Sequence, residues 1–288
     1  MKVVETVAEL KKLRSEWTHP VGFVPTMGYL HPGHKSLVER ARNECATVVA
    51  SIFVNPAQFA PSEDLDRYPR DLPRDLAMCE AADVDVVFTP TATEVYPEGF
   101  RSYIEVAELG GRWEGASRPG HFRGVATVVA ILFRMVAPDR AYFGEKDYQQ
   151  LQIVRRMTDD LRLDVEVIGC PTIREPDGLA CSSRNVYLAP AERTRAGVLH
   201  RALSAAQGAL DRGERRADVL GEAMRRVILE TPGVELDYAA VVDPSSLVPV
   251  EQVGEAARAL IAVRISGVHL IDNAPLIPPR PEAGQGVG

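Results

Sequence analysis

Val24-Pro25-Thr26-Met27-Gly28-Tyr29-Leu30-His31-Pro32-Gly33-His34 is a short apolar run that breaks into a glycine-bearing turn carrying two histidines. Just upstream, Val21 to Val24 is apolar and bounded by Pro20 and Pro25, the pattern of a buried parallel strand. Downstream, Leu37, Val38, Ala41 and Cys45 recur at helical spacing, with Lys35, Glu39, Arg40 and Arg42 between them. Strand, turn and helix in that order put a helix N-terminus at the carboxyl end of a strand, where open α/β sheets hold anionic ligands. Gly28 and Gly33 let the backbone approach a phosphate closely, and the imidazoles of His31 and His34 add donors on the same side. Each histidine taken alone is equally well read as a cap or a solvent-exposed side chain. A metal pair is disfavoured, because no third Cys, His or acidic ligand lies nearby at zinc-like spacing.

The rest of the composition fits a soluble, enzyme-sized chain. Its 288 residues can bury a substantial core as one large or two modest domains. A formal net charge of -7 argues against a dedicated nucleic-acid binder. There is neither an apolar run of membrane-spanning length nor a basic-then-apolar N-terminal signal, so a cytoplasmic protein is expected. Cys45, Cys79, Cys170 and Cys181 form no Cys-x-x-Cys pair and are expected as reduced thiols.

Strand-like and helix-like segments alternate through the first 170 or so residues. Val48 to Val54 and Val84 to Phe88 read as strands, with a weaker helical pattern over Asp71 to Ala82 between them. Val125, Val128, Val129, Leu132, Phe133 and Val136 mark a strongly apolar helix face that ends near Pro138. A short strand over Ala141 to Phe143, a helix over Asp147 to Leu161 and a strand over Val165 to Ile168 follow. This order predicts a Rossmann-like, doubly wound parallel α/β sheet over residues 1–173. Beyond it, helices over Pro190 to Arg212 and Asp218 to Glu230 precede strands over Tyr238 to Val242 and Leu260 to Ile265. The simple alternation is lost, so residues 174–277 are expected as a smaller α+β domain covering the active site, with 278–288 a disordered Pro/Gly-rich tail.

Three further segments carry polar chemistry. Phe53-Val54-Asn55-Pro56-Ala57-Gln58-Phe59 closes a strand with two amides, which either cap a turn or meet a substrate bearing hydroxyl and carboxylate groups. Phe143-Gly144-Glu145-Lys146-Asp147 repeats the strand-to-helix junction, where Lys146 is either a phosphate contact or an ordinary exposed charge. Arg174 to Asn185 is either a linker or, through Ser182, Ser183 and Arg184, a set of phosphate donors.

Taken together, Pro-Thr-Met-Gly-x-Leu-His-x-Gly-His at 25–34, Phe-Val-Asn-Pro-x-Gln-Phe at 53–59, Glu-Gly-Ala-Ser-Arg-Pro-Gly-His-Phe-Arg-Gly at 114–124, Phe-Gly-Glu-Lys-Asp-Tyr-Gln-Gln-Leu at 143–151 and Ser-Ser-Arg-Asn at 182–185 resemble the pantothenate synthetase family. Leu270-Ile271-Asp272-Asn273 extends the likeness almost to the end of the chain. His-x-Gly-His alone occurs throughout a broad nucleotidyltransferase superfamily, whereas five segments in order are specific. The resemblance implies condensation of (R)-pantoate with β-alanine through pantoyl adenylate, with Mg²⁺ accompanying ATP, in a homodimer. It implies that Met27, Gly28, Tyr29, Leu30, His31, Pro32, Gly33 and His34 form one ATP loop, with His34 as proton donor. Gly144, Glu145, Lys146 and Asp147, together with Cys181, Ser182, Ser183 and Arg184, would form the others, and Ile173 a backbone contact to adenine. His31, His34, Lys146, Ser182, Ser183 and Arg184 are expected to stabilise charge on the phosphates. Gln58 and Gln150 are implied as pantoate contacts, with Gln58 also near β-alanine, and Asn55 is expected to bind substrate with them. Cys181 departs from the Met or Leu usual in relatives and adds a thiol beside the ATP loop. Non-catalytic nucleotide binding and cofactor nucleotidyl transfer are rival readings, and neither needs the two glutamines.

Overall fold

The computed structural model describes residues 1–61 and 63–279. The first unit contains β1 (Lys2–Val4), α1 (Val7–Arg14), β2 (Val21–Thr26), α2 (Pro32–Glu44), β3 (Thr47–Ile52), α3 (Leu72–Ala81) and β4 (Val86–Phe88). Three single turns follow, α4 (Ala92–Val95), α5 (Ala107–Gly110) and α6 (Glu114–Ser117), then α7 (His121–Val136), β5 (Arg140–Gly144), α8 (Tyr148–Asp160) and β6 (Glu166–Cys170). The six strands form one parallel sheet in the order β1-β4-β3-β2-β5-β6. Strand order reverses between β2 and β5, so the loops leaving their carboxyl ends open at the switch point, where doubly wound sheets bind ligands. Residues 27–31 and 145–147 are those two loops.

Burial explains the central strands. Val21, Phe23, Val24, Val48 and Val49 are fully buried, as strands covered on both faces must be. Leu37, Val38 and Ala41 are buried on the inner side of α2, as their spacing predicts, whereas Cys45, also buried, is the extended residue that ends the helix. In α7, Val125, Val128, Val129, Leu132, Phe133 and Val136 are buried, and Phe133 meets Phe23 and Phe143 edge to face at 6.4 and 6.3 Å. Left-handed Ala137 caps this helix ahead of Pro138, which cannot continue it.

The second unit contains α9 (Pro190–Ala196), α10 (Val198–Asp211), α11 (Ala217–Leu229), β7 (Glu235–Val242), β8 (Ala257–Ile265) and β9 (Val268–Leu276). Its strands form an antiparallel sheet in the order β7-β8-β9. Ala257, Ala259, Ile261, Val263 and Ile265 alternate along β8 into a core shared with Leu203, Leu210, Leu220, Met224 and Ile228 of the helices.

Several elements depart from the sequence expectation. Pro190 to Arg212 is two helices, interrupted at Gly197. β1, α1 and β9 have no counterpart in the sequence pattern. Contacts divide the chain into Met1–Glu175 with Ala180–Val186, and Pro176–Leu179 with Tyr187–Gly288. Ala180–Val186 thus returns to the first unit instead of belonging to a domain that begins at 174. Cys181 N–H donates to Ile173 O (2.9 Å) and Ser183 Oγ to Tyr29 O (3.2 Å), which ties the segment there. Of the expected tail over 278–288, residues 280–288 lie outside the described residues.

Candidate active site

The two switch-point loops and the returning segment line one cleft in the first unit. Met27, His31, Gly33 and His34 meet Asn55, Gln58, Gly144, Lys146, Asp147, Gln150, Ile173, Cys181, Ser182, Ser183 and Arg184 around it. The site residues expected from distant stretches of the sequence are therefore brought together. Gly28, Tyr29, Leu30, Pro32 and Glu145 do not line the cleft, and Leu30 is buried in the core. These positions shape the loops behind the wall.

His31 is the N-cap of α2, and Pro32 begins the helix where its missing N–H costs nothing. Gly33 N–H donates to His31 Nδ1 (3.2 Å), and His31 N–H donates to His34 Nδ1 (3.3 Å). The rings lie with centroids 4.0 Å apart. Because both Nδ1 atoms accept backbone N–H groups, each neutral ring carries its proton on Nε2. Burial, reinforced by the Lys146 charge, pushes His31 down to about 4. Burial and the adjacent His31 push His34 down to about 3. At neutral pH the pair thus offers uncharged Nε2–H donors at a helix N-terminus, and neither ring is an imidazolium.

Lys146 and Asp147 sit on the 3₁₀ turn Glu145–Asp147, with Lys146 Nζ 3.4 Å from Asp147 Oδ1. Burial works to raise the Asp147 carboxyl, but Lys146 and then Arg184 hold it below the usual carboxylate range. A Cβ on Gly144 would meet nothing closer than Lys146 N at 4.0 Å, so the fold itself does not require glycine there. The fork of Arg184 grips Asp64 through Nε and Nη2, both at 3.2 Å. Ser182 Oγ accepts Arg184 N–H (3.3 Å), which closes the turn that presents these donors.

The amides divide into two kinds. Asn55 Nδ2 donates to Gln58 Oε1 (3.0 Å) and Gly124 O (3.2 Å), while its Oδ1 accepts from Ala57 N (3.2 Å) and Tyr96 Oη (2.7 Å). All four bonding positions of the Asn55 amide are occupied, so it caps the turn and orients Gln58. With Oε1 held by Asn55, Gln58 turns Nε2 toward Met27 Sδ (3.1 Å) and the cleft. Along α8, Gln149 is buried and bonds Glu114 N, Leu109 O and Arg112 O. Its neighbour Gln150 faces the cleft.

Sequence reasoning missed Arg118, His121 and Tyr68, which also line the cleft. Arg118 pairs with Glu63 (Nε–Oε1 2.7 Å, Nη2–Oε2 2.9 Å) and with Glu114 (3.4 Å). His121 Nδ1 donates to Gln58 O (2.9 Å) and its Nε2 accepts from Arg118 Nη1 (3.3 Å), so that ring is neutral and fixed. Burial first, then Arg118, pushes His121 down to about 3. The signal was present in the 114–124 segment, but nothing local says that its side chains face the turn at 55–58. Val125, Val128, Val129 and Leu132 of α7 add an apolar wall. Among the described residues no cluster of three His, Cys, Asp or Glu side chains is arranged to hold a metal ion, and no helix is long and apolar enough to cross a membrane.

A model of the pantoate-beta-alanine ligase family matches residues 2–275. Pantothenate synthetase of Roseiflexus sp. (strain RS-1) is 56% identical over 276 residues, 96% of this chain and 99% of that protein. The crystal structure of pantothenate synthetase from Thermus thermophilus superposes with a TM-score of 0.93 at 53% identity, covering 96% of this chain and 100% of that one. The pantoate-beta-alanine ligase of Francisella tularensis, crystallised with beta-gamma ATP and beta-alanine, gives a TM-score of 0.79 at 34% identity, covering 95% of this chain and 97% of that one.

Proposed function

The chain belongs to the pantoate–β-alanine ligase family, and from that premise we propose how its cleft divides the two half-reactions. The enzyme condenses (R)-pantoate with β-alanine using ATP and releases pantothenate, AMP and pyrophosphate through pantoyl adenylate. A carboxylate is a poor acyl donor, so its oxygen first attacks the α-phosphorus and expels pyrophosphate. The β-alanine amine then attacks the carbonyl of the mixed anhydride and expels AMP.

One observation carries the assignment of roles: neutral Nε2–H donors, a lysine and a serine–arginine turn share one cleft with two glutamines that line it. His31 and His34 donate to the phosphates at the N-terminus of α2, where the helix dipole also favours negative charge. Since His34 is neutral with its proton on Nε2, its part in expelling pyrophosphate is a hydrogen bond strengthened as charge develops. Lys146, Ser182, Ser183 and Arg184 offset that charge from the facing side, with Arg184 exchanging Asp64 for phosphate. Gly144 leaves room for a phosphate against the backbone. Ile173 contacts adenine through backbone positions beyond its bond with Cys181 N–H, and Cys181 lies buried beside it.

Gln58 and Gln150 meet the hydroxyl and carboxylate oxygens of pantoate, while Val125, Val128, Val129 and Leu132 cover its dimethyl carbon. Mg²⁺ arrives with ATP as part of the substrate, keeping waters and phosphate oxygens, and Asp147 is the carboxylate on the wall that can meet it. The enzyme works as a homodimer in the cytoplasm, a reading supported by family membership.

The test incubates the enzyme with MgATP and pantoate, with and without β-alanine, and follows pyrophosphate and AMP. Pantoate-dependent pyrophosphate release, with free AMP turning over only when β-alanine is added, supports the assignment. ATP binding without pantoate-dependent pyrophosphate release would overturn it.

A further inference from the structure

Asp75, on α3, is more than forty residues from the histidine loop in sequence, yet it is 1% exposed and ends at that loop. Its Oδ2 accepts Tyr29 N–H and its Oδ1 accepts Leu30 N–H, both at 2.7 Å. These amides belong to a turn that L-residues resist: Gly28 has φ +84° and Tyr29 has φ +49°. A Cβ on Gly28 would stand 3.0 Å from Asp75 Oδ2 and 3.0 Å from Ile52 Cγ2, so the turn is moulded directly onto the carboxylate. The carbonyl of the same residue, Tyr29 O, accepts Ser183 Oγ (3.2 Å), and the Tyr29 ring lies beneath the Arg74 guanidinium at 4.9 Å. The turn is therefore held on its N–H side by Asp75 and on its C=O side by the opposite bank of the cleft.

We propose that Asp75 is a positioning residue for adenylate formation: its carboxylate fixes the 28–30 turn, and through it the His31–His34 cap and the register of Ser183 across the cleft. The next residue in the chain is His31, whose own N–H and Nδ1 complete the cap, so any rotation of the Tyr29–Leu30 peptides turns both imidazoles. A buried carboxylate suits this task because it accepts two neighbouring N–H groups at once, and charged acceptors make the stronger bonds. Arg74 Nη1, 4.0 Å from Oδ1, supplies the nearest countercharge. This inference rests on the reading that His31 and His34 meet ATP.

The experiment uses the full chain with Asp75→Asn and Asp75→Ala, and His34→Ala as reference. Asparagine keeps the shape and one acceptor but sets an NH₂ against the second amide, so it disturbs the turn with little change in volume. Pantoate-dependent pyrophosphate release is read below each variant's unfolding midpoint, alongside ¹⁵N spectra of the histidine rings. Expected are a tenfold to hundredfold fall in kcat for both Asp75 variants, a pantoate KM within threefold of the parent, and loss of the Nε2–H signature of His31 and His34. A folded Asp75→Asn enzyme with kcat within threefold of the parent overturns the proposal, as does a fall in kcat with both histidine signatures intact. If His34→Ala itself releases pyrophosphate normally, it is the reading of the site that fails; an impaired His34→Ala beside a normal Asp75→Asn rejects the positioning role alone.

Discussion

A Cβ added at Gly33 would stand 2.9 Å from His31 Cε1 and 3.0 Å from His31 Nδ1, while the nearest atom beyond that ring is Cys181 Cβ at 3.7 Å. What must move is a side chain, and alanine in a helix is favoured over glycine by about 1 kcal/mol. Moving that ring also gives up its cap on Gly33 N–H, worth about 1 kcal/mol, so Gly33→Ala is expected to leave the melting temperature nearly unchanged while lowering pantoate-dependent pyrophosphate release by about tenfold, as one mispositioned donor does. A variant both folded and fully active would show that the His31 ring position is immaterial. His34→Ala and Lys146→Ala remove donors outright, and each should slow adenylate formation on the order of a hundredfold in the same assay. The depressed histidines also set a pH dependence of stability. In the unfolded chain a histidine titrates near 6.5, roughly the reference value; folded, His31, His34 and His121 do so at about 4, 3 and 3. Between those limits the unfolded chain binds protons that the folded chain does not, so stability falls as pH drops from about 6.5 toward 4 and is insensitive to these groups above about 7. Urea unfolding across that range measures the slope. His121→Asn keeps a donor for Gln58 O and should reduce proton uptake on unfolding by about one, and an unchanged slope would contradict the buried neutral ring.

Between elements, the closest approach in the site is that of α7 to the 3₁₀ turn Pro56–Gln58. A Cβ on Gly124 would fall 2.2 Å from Ala57 O and 2.6 Å from Gln58 N, both backbone atoms with nowhere to yield. Gly124 O also receives Asn55 Nδ2, so helix and turn are bonded at the very point of contact. Gly124→Ala should destabilise the protein by about 1–3 kcal/mol, the usual cost of overpacking, despite the better helix former. It should also raise the pantoate KM by about tenfold through Gln58, and denaturant melts with initial-rate kinetics check both outcomes. What was legible in the sequence follows the same division between local and distant contacts. The unit from Val21 to Cys45 could be read because burial on both faces of β2 leaves an unbroken apolar run and α2 shows a clean stripe. In contrast, α1 buries only Leu10 along its length, and its existence rests on the Thr6–Glu9 capping box. β9 escaped because buried Asp272 and Asn273 and exposed Pro275 break its alternation. Gln58, Lys146 and the Ser182–Arg184 turn announce themselves by residue type within short motifs. Asp75, Arg118 and His121 do not, because each owes its role to a turn brought to it by the fold.

At the scale of the whole chain, among the described residues, one hydrophobic cluster of the first unit and that of the second share no residue. Val24, Leu37, Val48, Val87 and Tyr142 belong to one, and Leu203, Leu220, Met224 and Ile261 to the other. The cleft residues lie in the first unit, including the Ala180–Val186 segment that returns to it after Pro176–Leu179. Met224 is fully buried, so Met224→Ala removes its contacts from the second core at a cost of about 2–5 kcal/mol. If each core stabilises its own unit, hydrogen exchange should accelerate through α10, α11 and β7 to β9 while the amides of β2 and β3 keep their protection. The Cys181 amide discriminates most sharply, since it follows second-unit residues in sequence but donates to Ile173 O. It should remain protected with β2 and β3 in Met224→Ala. Exchange that speeds up at Cys181 together with α11 would place the serine–arginine turn with the second unit, and a uniform loss of protection would show that the chain opens as one cooperative block.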